Sequence, residues 1–294
     1  MAKADIGIIG GTGLGDVLIR EHGGESVDVE TPFGVPSCAP ILADWEGKRI
    51  AFIARHGEGH LLPPSAVPYR ANIWALKALG VHSILASGAT GSLREEMEPG
   101  HLVICDQVID KTFRRPSTFF ESGVAVHVEL SEPFCPYLRN LLNECGKSVE
   151  THVHDRGTYV CMEGPQFSTR AESMMHRAWG GDLIGMTCMP EAKLAREASL
   201  CYGLVGLPTD YDSWRPHDPN QPATALLEEI MGNLKKATNN AIELIRHAVA
   251  EITTENRNCA CGSALDLAVW SPREAISSET RARFALLLGP ENDN

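Results

Sequence analysis

Asp210 and Asp212 stand two residues apart at the end of an apolar run, Leu200-Cys201-Tyr202-Gly203-Leu204-Val205-Gly206-Leu207, that reads as a buried strand. Side chains alternate along an extended chain, so both carboxyls would point one way and Tyr211 the other. Like charges held that close do not ionise together cheaply. One would keep its proton near neutral pH, which is the equipment of a general acid. The same residues also suit a turn or a helix N-cap, where Asp is favoured.

Three other stretches could meet an anion. Asp5-Ile6-Gly7-Ile8-Ile9 runs into Gly10-Gly11-Thr12-Gly13-Leu14-Gly15-Asp16, a strand opening into glycines whose amides a phosphate can approach, with Thr12 adding a hydroxyl. The spacing fits neither a dinucleotide fingerprint nor a P-loop, and a tight turn without a ligand explains it equally well. Arg55-His56 follows the strand pattern of Arg49 to Ala54 and offers a bidentate anion clamp, or else two polar side chains on a solvated loop. His56 and His60 are four residues apart, but Gly57 and Gly59 between them argue against a metal-binding helix. Ser83 to Ala89 repeats the theme: an apolar strand opening into Ser87-Gly88-Ala89-Thr90-Gly91, small residues that leave room beside the backbone. Of the nine cysteines, only Cys259 and Cys261 form a close pair, and a metal site would need more ligands at defined spacing. The expectation is reduced core thiols and no metal.

The elements that must position these residues alternate. Strands are expected at residues 26–30, 37–43, 49–54, 83–87, 102–105, 157–162, 183–186 and 200–207. Helices are expected near 73–79, 136–148, 169–179 and through Pro190-Glu191. Leu226, Leu227, Ile230, Leu234, Ala237, Ala241, Leu244, Ile245 and Val249 mark a long amphipathic helix. Alternating strands and helices argue for an α/β sheet whose ligand lies beyond the strand ends. The tail ends in Phe284-Ala285-Leu286-Leu287-Leu288, an apolar run that needs burial, on this chain or against another subunit.

With 294 residues and 43% apolar content, the chain can bury a sizeable core. A net charge of -12 without a Lys/Arg cluster opposes binding to nucleic acid. No run approaches the ~20 apolar residues of a membrane span, and the N-terminal residues show no signal-peptide core, so a cytoplasmic protein is expected.

Taken together, the motifs resemble the trimeric purine nucleoside phosphorylases of the methylthioadenosine phosphorylase branch, nearly end to end. The carriers are Gly7 to Leu14, Thr31-Pro32-Phe33-Gly34, Ala54-Arg55-His56-Gly57, Asn72 to Leu76, Gly91 to Glu96, Glu132 to Pro136, Glu163 to Ser173 and Thr209-Asp210-Tyr211-Asp212. The resemblance implies one α/β domain over residues 1–294, a mixed open or barrel-like sheet flanked by helices, with a C-terminal helical extension from about residue 255. It implies that Thr12, Arg55, His56, Gly88, Ala89 and Thr187 surround phosphate, which is a co-substrate, with no cofactor required. Phe167, Met186, Asp210 and Asp212 would hold purine and ribose, Asp210 donating to N7 of the departing base and Glu163 shaping the pocket. Ser168, Ala223, His60 and Leu226 would set substrate choice, and His127 and Leu287 would reach a neighbour's site in a homotrimer. The implied reaction is phosphorolysis of 5′-methylthioadenosine. A broader activity on adenosine or inosine is the alternative, and a nucleoside-binding protein without chemistry is the third reading. The sequence departs from the branch at Gly88, where Thr is usual, at Gly185, where Asn is usual, and at Ala223, often Val.

Overall fold

The computed structural model describes residues 4–11, 23–216, 222–253 and 257–289. Its core element is an eleven-stranded mixed sheet. In chain order the elements begin β1 (Ile6–Gly10), β2 (Glu25–Ser26), β3 (Ile41–Trp45), β4 (Lys48–Ala54), α1 (Tyr69–Ala78), β5 (Ser83–Ser92), β6 (Leu102–Ile104) and β7 (Gln107–Lys111). They continue α2 (Pro136–Gly146), β8 (Val153–His154), β9 (Thr158–Met162), α3 (Arg170–Ala178), β10 (Leu183–Gly185), α4 (Cys188–Glu197), β11 (Cys201–Tyr211), α5 (Ala223–Glu251), α6 (Ser278–Arg283) and α7 (Ala285–Leu288).

The boundaries follow local chemistry. Pro36 and Pro40 cannot donate to a ladder, so β3 starts only at Ile41 rather than near residue 37. Pro68 at the N-cap lets α1 begin at Tyr69, one turn before the apolar stripe suggests. Thr169 caps α3 with a reciprocal capping box to Glu172. The strand β7 carries Gln107, Asp110 and Lys111 and has no apolar alternation to announce it, yet it pairs parallel with β9 along its whole length.

Both faces of the sheet are covered, which explains why its central strands are apolar on both sides. Ile9, Tyr202 and Leu204 lie in one core cluster with residues of α1 and α4, such as Ile73, Leu76 and Leu194. Ile6, Ile8, Val205 and Leu207 face the other, with Leu138 and Leu142 of α2 and Leu244, Ile245 and Val249 of α5.

The strand β5 organises everything else. Along one edge it pairs with β11 from Ser83 to Ser92. Along the other, β1 pairs parallel with Ser83 to Ala86, and β10 pairs antiparallel with Gly91 and Ser92. Residues 87–90 lie between these two partners, so among the described residues no strand covers that edge there. A gap of this kind inside a sheet leaves main-chain polar groups facing a space that something else must satisfy.

The tail folds back on its own chain. Val126 and Val269 form an antiparallel bridge, and Phe284 is buried with its ring 5.1 Å from that of Phe120. No helix among the described residues is long and apolar enough to cross a membrane.

Candidate active site

Three strand ends converge on the gap in β5. Arg55 follows β4, and its amide donates to the Gly10 carbonyl at the end of β1 (3.0 Å). Its side chain is buried; Nη1 donates to the Ser87 carbonyl of β5 (2.8 Å). Thr187 precedes α4 just beyond β10. A Cβ built on Gly88 would lie 3.5 Å from Thr187 Oγ1 and 4.0 Å from Arg55 Nη1. Arg55, Gly88 and Thr187 therefore border one small space, which Gly88 leaves open. Ala89 is exposed beside it, while Thr90 is buried with its hydroxyl unpartnered.

The bidentate face of Arg55, expected on an anion, grips Glu191 instead: Nε to Oε1 at 2.5 Å and Nη2 to Oε2 at 3.0 Å. The Tyr202 hydroxyl donates to the same Oε2 at 2.8 Å. Burial would drive the guanidinium toward neutrality, but the facing carboxylate more than offsets this and holds its pKa above the ordinary arginine value. Only Nη1 is left turned toward the gap.

His56 is not a second cation there. Its Nδ1 donates to the Leu62 carbonyl (2.8 Å), and the ring stacks on His60 with centroids 4.2 Å apart. Burial, with Arg55 and His60 nearby, pushes its pKa down to about 4 despite the opposing carbonyl bond. The ring is neutral at physiological pH. His60, expected at the sugar's 5′ end, thus shares its surroundings with a residue expected at phosphate.

The carboxylates sit at the far end of the same strand pair. The register between β11 and β5 shifts after Pro208↔Thr90 and resumes at Asp210↔Gly91, making Thr209 the extra residue of a bulge. The bulge is held by Asn233 of α5, whose side chain donates to the Thr209 carbonyl (3.0 Å), and Thr209 Oγ1 donates to Asp210 Oδ1 (2.7 Å). Beyond it the strand runs on through Tyr211 and ends before Asp212, whose amide donates to the Ser92 carbonyl at the end of β5 (2.9 Å). Asp210 is half-buried; Asp212 is buried, with Oδ2 unpartnered. A Cβ on Gly91 would come within 3.2 Å of both Asp212 Cβ and Ile184 Cγ2, so glycine there gives Asp212 its place.

Between these ends lies the loop after β9. Glu163 Oε1 accepts from Ser65 Oγ and from Arg115 Nε (3.1 Å), and Oε2 accepts from the amides of Phe113 (2.7 Å) and Arg114 (3.2 Å). Burial raises its pKa, but these donors outweigh it and bring the carboxyl down to about 2. Glu163 is therefore a fixed anchor and not an acid. Arg115 also donates to the Glu163 carbonyl (2.7 Å) and to those of Met186 (2.5 Å) and Met189 (2.6 Å), tying the loop to the end of β10. Gly164, at φ 67°, leaves room for the Met186 sulfur, which would lie 2.5 Å from an added Cβ. The loop then presents Phe167, exposed, and Ser168, buried, whose carbonyl accepts from Ser213 Oγ (2.8 Å). At Gly185 the space for a side chain is filled by Tyr159, whose hydroxyl oxygen lies 1.9 Å from where a Cβ would be.

The remaining expected residues are dispersed. Thr12 lies outside the described residues, and Ala223 is the first residue of α5 with half-buried Leu226 in the same turn. His127 is exposed with its ring 4.6 Å from that of Trp270, whereas Leu287 is buried in its own chain beside Phe284. Sequence reasoning missed Glu191, Ser87, Tyr202 and Arg115 as partners, since each acts across long separations with no local motif. It also treated Cys259 and Cys261 as an isolated pair. The fold corrects this: Cys135 and Cys201 join them, and the four Sγ atoms lie within 4.8 Å of one another.

Comparison with known proteins gives a consistent result. Residues 5–250 match the phosphorylase superfamily. The S-methyl-5′-thioadenosine phosphorylase of Chloroflexus aurantiacus is 46% identical over 98% of this chain and 99% of its own length. The crystal structure of a methylthioadenosine phosphorylase from an antarctic soil metagenomic library superposes with a TM-score of 0.89 at 45% identity, covering 98% of this chain and 99% of the other. A Schistosoma mansoni adenosine/methylthioadenosine phosphorylase mutant, solved in complex with methylthioadenosine, gives 0.78 at 33% identity over 99% and 100%. The chain belongs to the phosphorylase superfamily and, within it, to the S-methyl-5′-thioadenosine phosphorylases.

Proposed function

We infer that this chain cleaves 5′-methylthioadenosine with inorganic phosphate, releasing adenine and 5-methylthioribose 1-phosphate. The observation that carries the reading is the layout of β5. Its uncovered edge at residues 87–90 meets Arg55 and Thr187, and Gly91 meets Asp212 and is paired with Asp210. Three residues of strand span roughly 10 Å, the reach of one nucleoside with an anion beneath it.

Phosphate binds at the gap through Arg55 Nη1, the Thr187 hydroxyl and the main chain of Gly88 and Ala89, with Thr12 and the main-chain amide, not the neutral ring, of His56 completing the site. It attacks C1′ as the glycosidic bond breaks, and the positive charge developing on the sugar is met by the anion. Asp210 supplies the proton to N7 of the leaving adenine, and Asp212 receives the 6-amino group. Phe167 and Met186 flank base and ribose; Ser168, His60, Ala223 and Leu226 tune the choice of 5′ substituent. Glu163 keeps the loop in place and takes no part in proton transfer. The substitution exchanges a C–N bond for a C–O bond with no net oxidation or reduction, so the reaction itself requires no redox cofactor. The exposed apolar residues Leu61, Phe113, Leu267 and Trp270 support self-association as a homotrimer in which the exposed His127 borders a neighbouring subunit's site. The expected setting is the cytoplasm.

The Schistosoma relative is an adenosine/methylthioadenosine phosphorylase, which favours adenosine as a second substrate here. The test is release of free base from methylthioadenosine, adenosine and inosine, each with and without phosphate. Phosphate-dependent release, fastest from methylthioadenosine, is expected. Equal release without phosphate would make the chain a hydrolase, and no release would leave it a binding protein.

A further inference from the structure

We propose that Cys135, Cys201, Cys259 and Cys261 form a structural zinc site that fastens the C-terminal tail to the sheet. The four sulfurs come from three separate parts of the fold. Cys135 caps the N-terminus of α2, Cys201 opens β11, and Cys259 and Cys261 lie on the tail after α5. Three of the four are buried, and all four Sγ atoms lie within 4.8 Å of one another, Cys201 and Cys259 being 3.5 Å apart. Zinc bound to four thiolates at ~2.3 Å requires sulfurs on the order of 3.8 Å apart, so the cluster closes on the ion with small side-chain movements.

The framework is fixed from outside the cluster. The Cys135 amide donates to the Tyr202 carbonyl (2.9 Å), and the Cys201 amide to that of His82 (3.0 Å), locking two of the ligands to adjoining chain segments. On the tail, the amide of Cys259 turns back to the Arg257 carbonyl (2.9 Å), and Cys261 starts a short 3-10 turn.

The surroundings suit the charge. Zinc with four thiolates carries a net charge of −2 on the formal count, and buried anions need nearby positive ends. The Arg257 guanidinium reaches Cys201 Sγ at 3.7 Å, and the first turn of the eleven-residue helix α2 presents its positive dipole end to Cys135. Soft thiolates in a tetrahedral set select zinc over magnesium or calcium. Binding is an acid–base exchange: Zn²⁺ displaces the thiol protons to solvent, four Zn–S bonds form, and nothing is oxidised. The ion stands away from the nucleoside residues and serves folding, not chemistry.

The experiment uses the full chain, reduced, mixed with stoichiometric Zn²⁺ or Co²⁺ and desalted. Elemental analysis is expected to find about one zinc per chain, and the cobalt form should show the visible ligand-field bands and near-ultraviolet charge transfer of a tetrahedral thiolate site. A C259S/C261S double variant should lose the bound metal while still releasing adenine. Intact mass under non-reducing denaturing conditions should show nine free thiols after metal removal. Metal-free protein with reduced thiols overturns the proposal, as does a mass lower by two hydrogens for each of two bridges, which would make the cluster a disulfide clamp.

Discussion

Arg55 shows how one side chain divides its work. Two of its nitrogens bind Glu191, and the third faces Ser87 and the gap. Replacing Glu191 by Gln would leave a buried guanidinium without its counter-charge, a loss of about 3–5 kcal/mol; urea unfolding of E191Q measures it. Tyr202→Phe removes only a hydroxyl from the same carboxylate and should cost less, since the charge pair remains. At the other end, Asp210→Ala is expected to lower kcat roughly 10²-fold or more, and an unchanged kcat would remove it from the chemistry. Gly88→Thr is expected to act in the opposite direction. Its Cβ would stand in ordinary contact with Thr187 and Arg55, and its hydroxyl adds one donor worth about 1 kcal/mol, so the KM for phosphate should fall roughly five-fold.

At the scale of elements, β5 works because different partners cover its two ends. Gly91→Ala should raise the KM for nucleoside and leave the KM for phosphate unchanged, because the new methyl crowds Asp212 and Ile184 while the gap at residues 87–90 keeps its shape. Steady-state kinetics with each substrate varied separate these effects. Much of this element was legible in the sequence: an apolar strand opening into small residues, and a second apolar strand ending at two carboxylates. The interruption in the sheet was not, since it depends on where β1 stops and β10 starts, a pairing between segments far apart in the chain. The bulge at Thr209 has no sequence mark for the same reason: it exists in the register of two strands. β7 escaped because its polar residues show no alternation, and its pairing with β9 is decided by tertiary contact.

Over the whole molecule, the two apolar layers hold the sheet, and half-buried histidines set how the fold answers acid. His56 and His154 are both held at about 4, against 6.5 in an open chain, by burial first and then by neighbouring cationic or imidazole groups. The unfolded chain binds more protons in that interval, so stability should be full above pH ~6.5 and fall as pH drops toward ~4. Glu163, held at about 2 against 4.5, adds a further loss at still lower pH. Urea midpoints taken across this range check the trend, and a flat profile between neutrality and pH ~4 would contradict it. The four-cysteine cluster belongs to this scale too, because only the complete fold joins the tail to α2 and β11. The decisive measurement follows phosphorus by NMR during turnover of methylthioadenosine. A sugar 1-phosphate signal should grow in step with free adenine while inorganic phosphate declines, and adenine appearing with the inorganic phosphate signal unchanged would contradict phosphorolysis on β5.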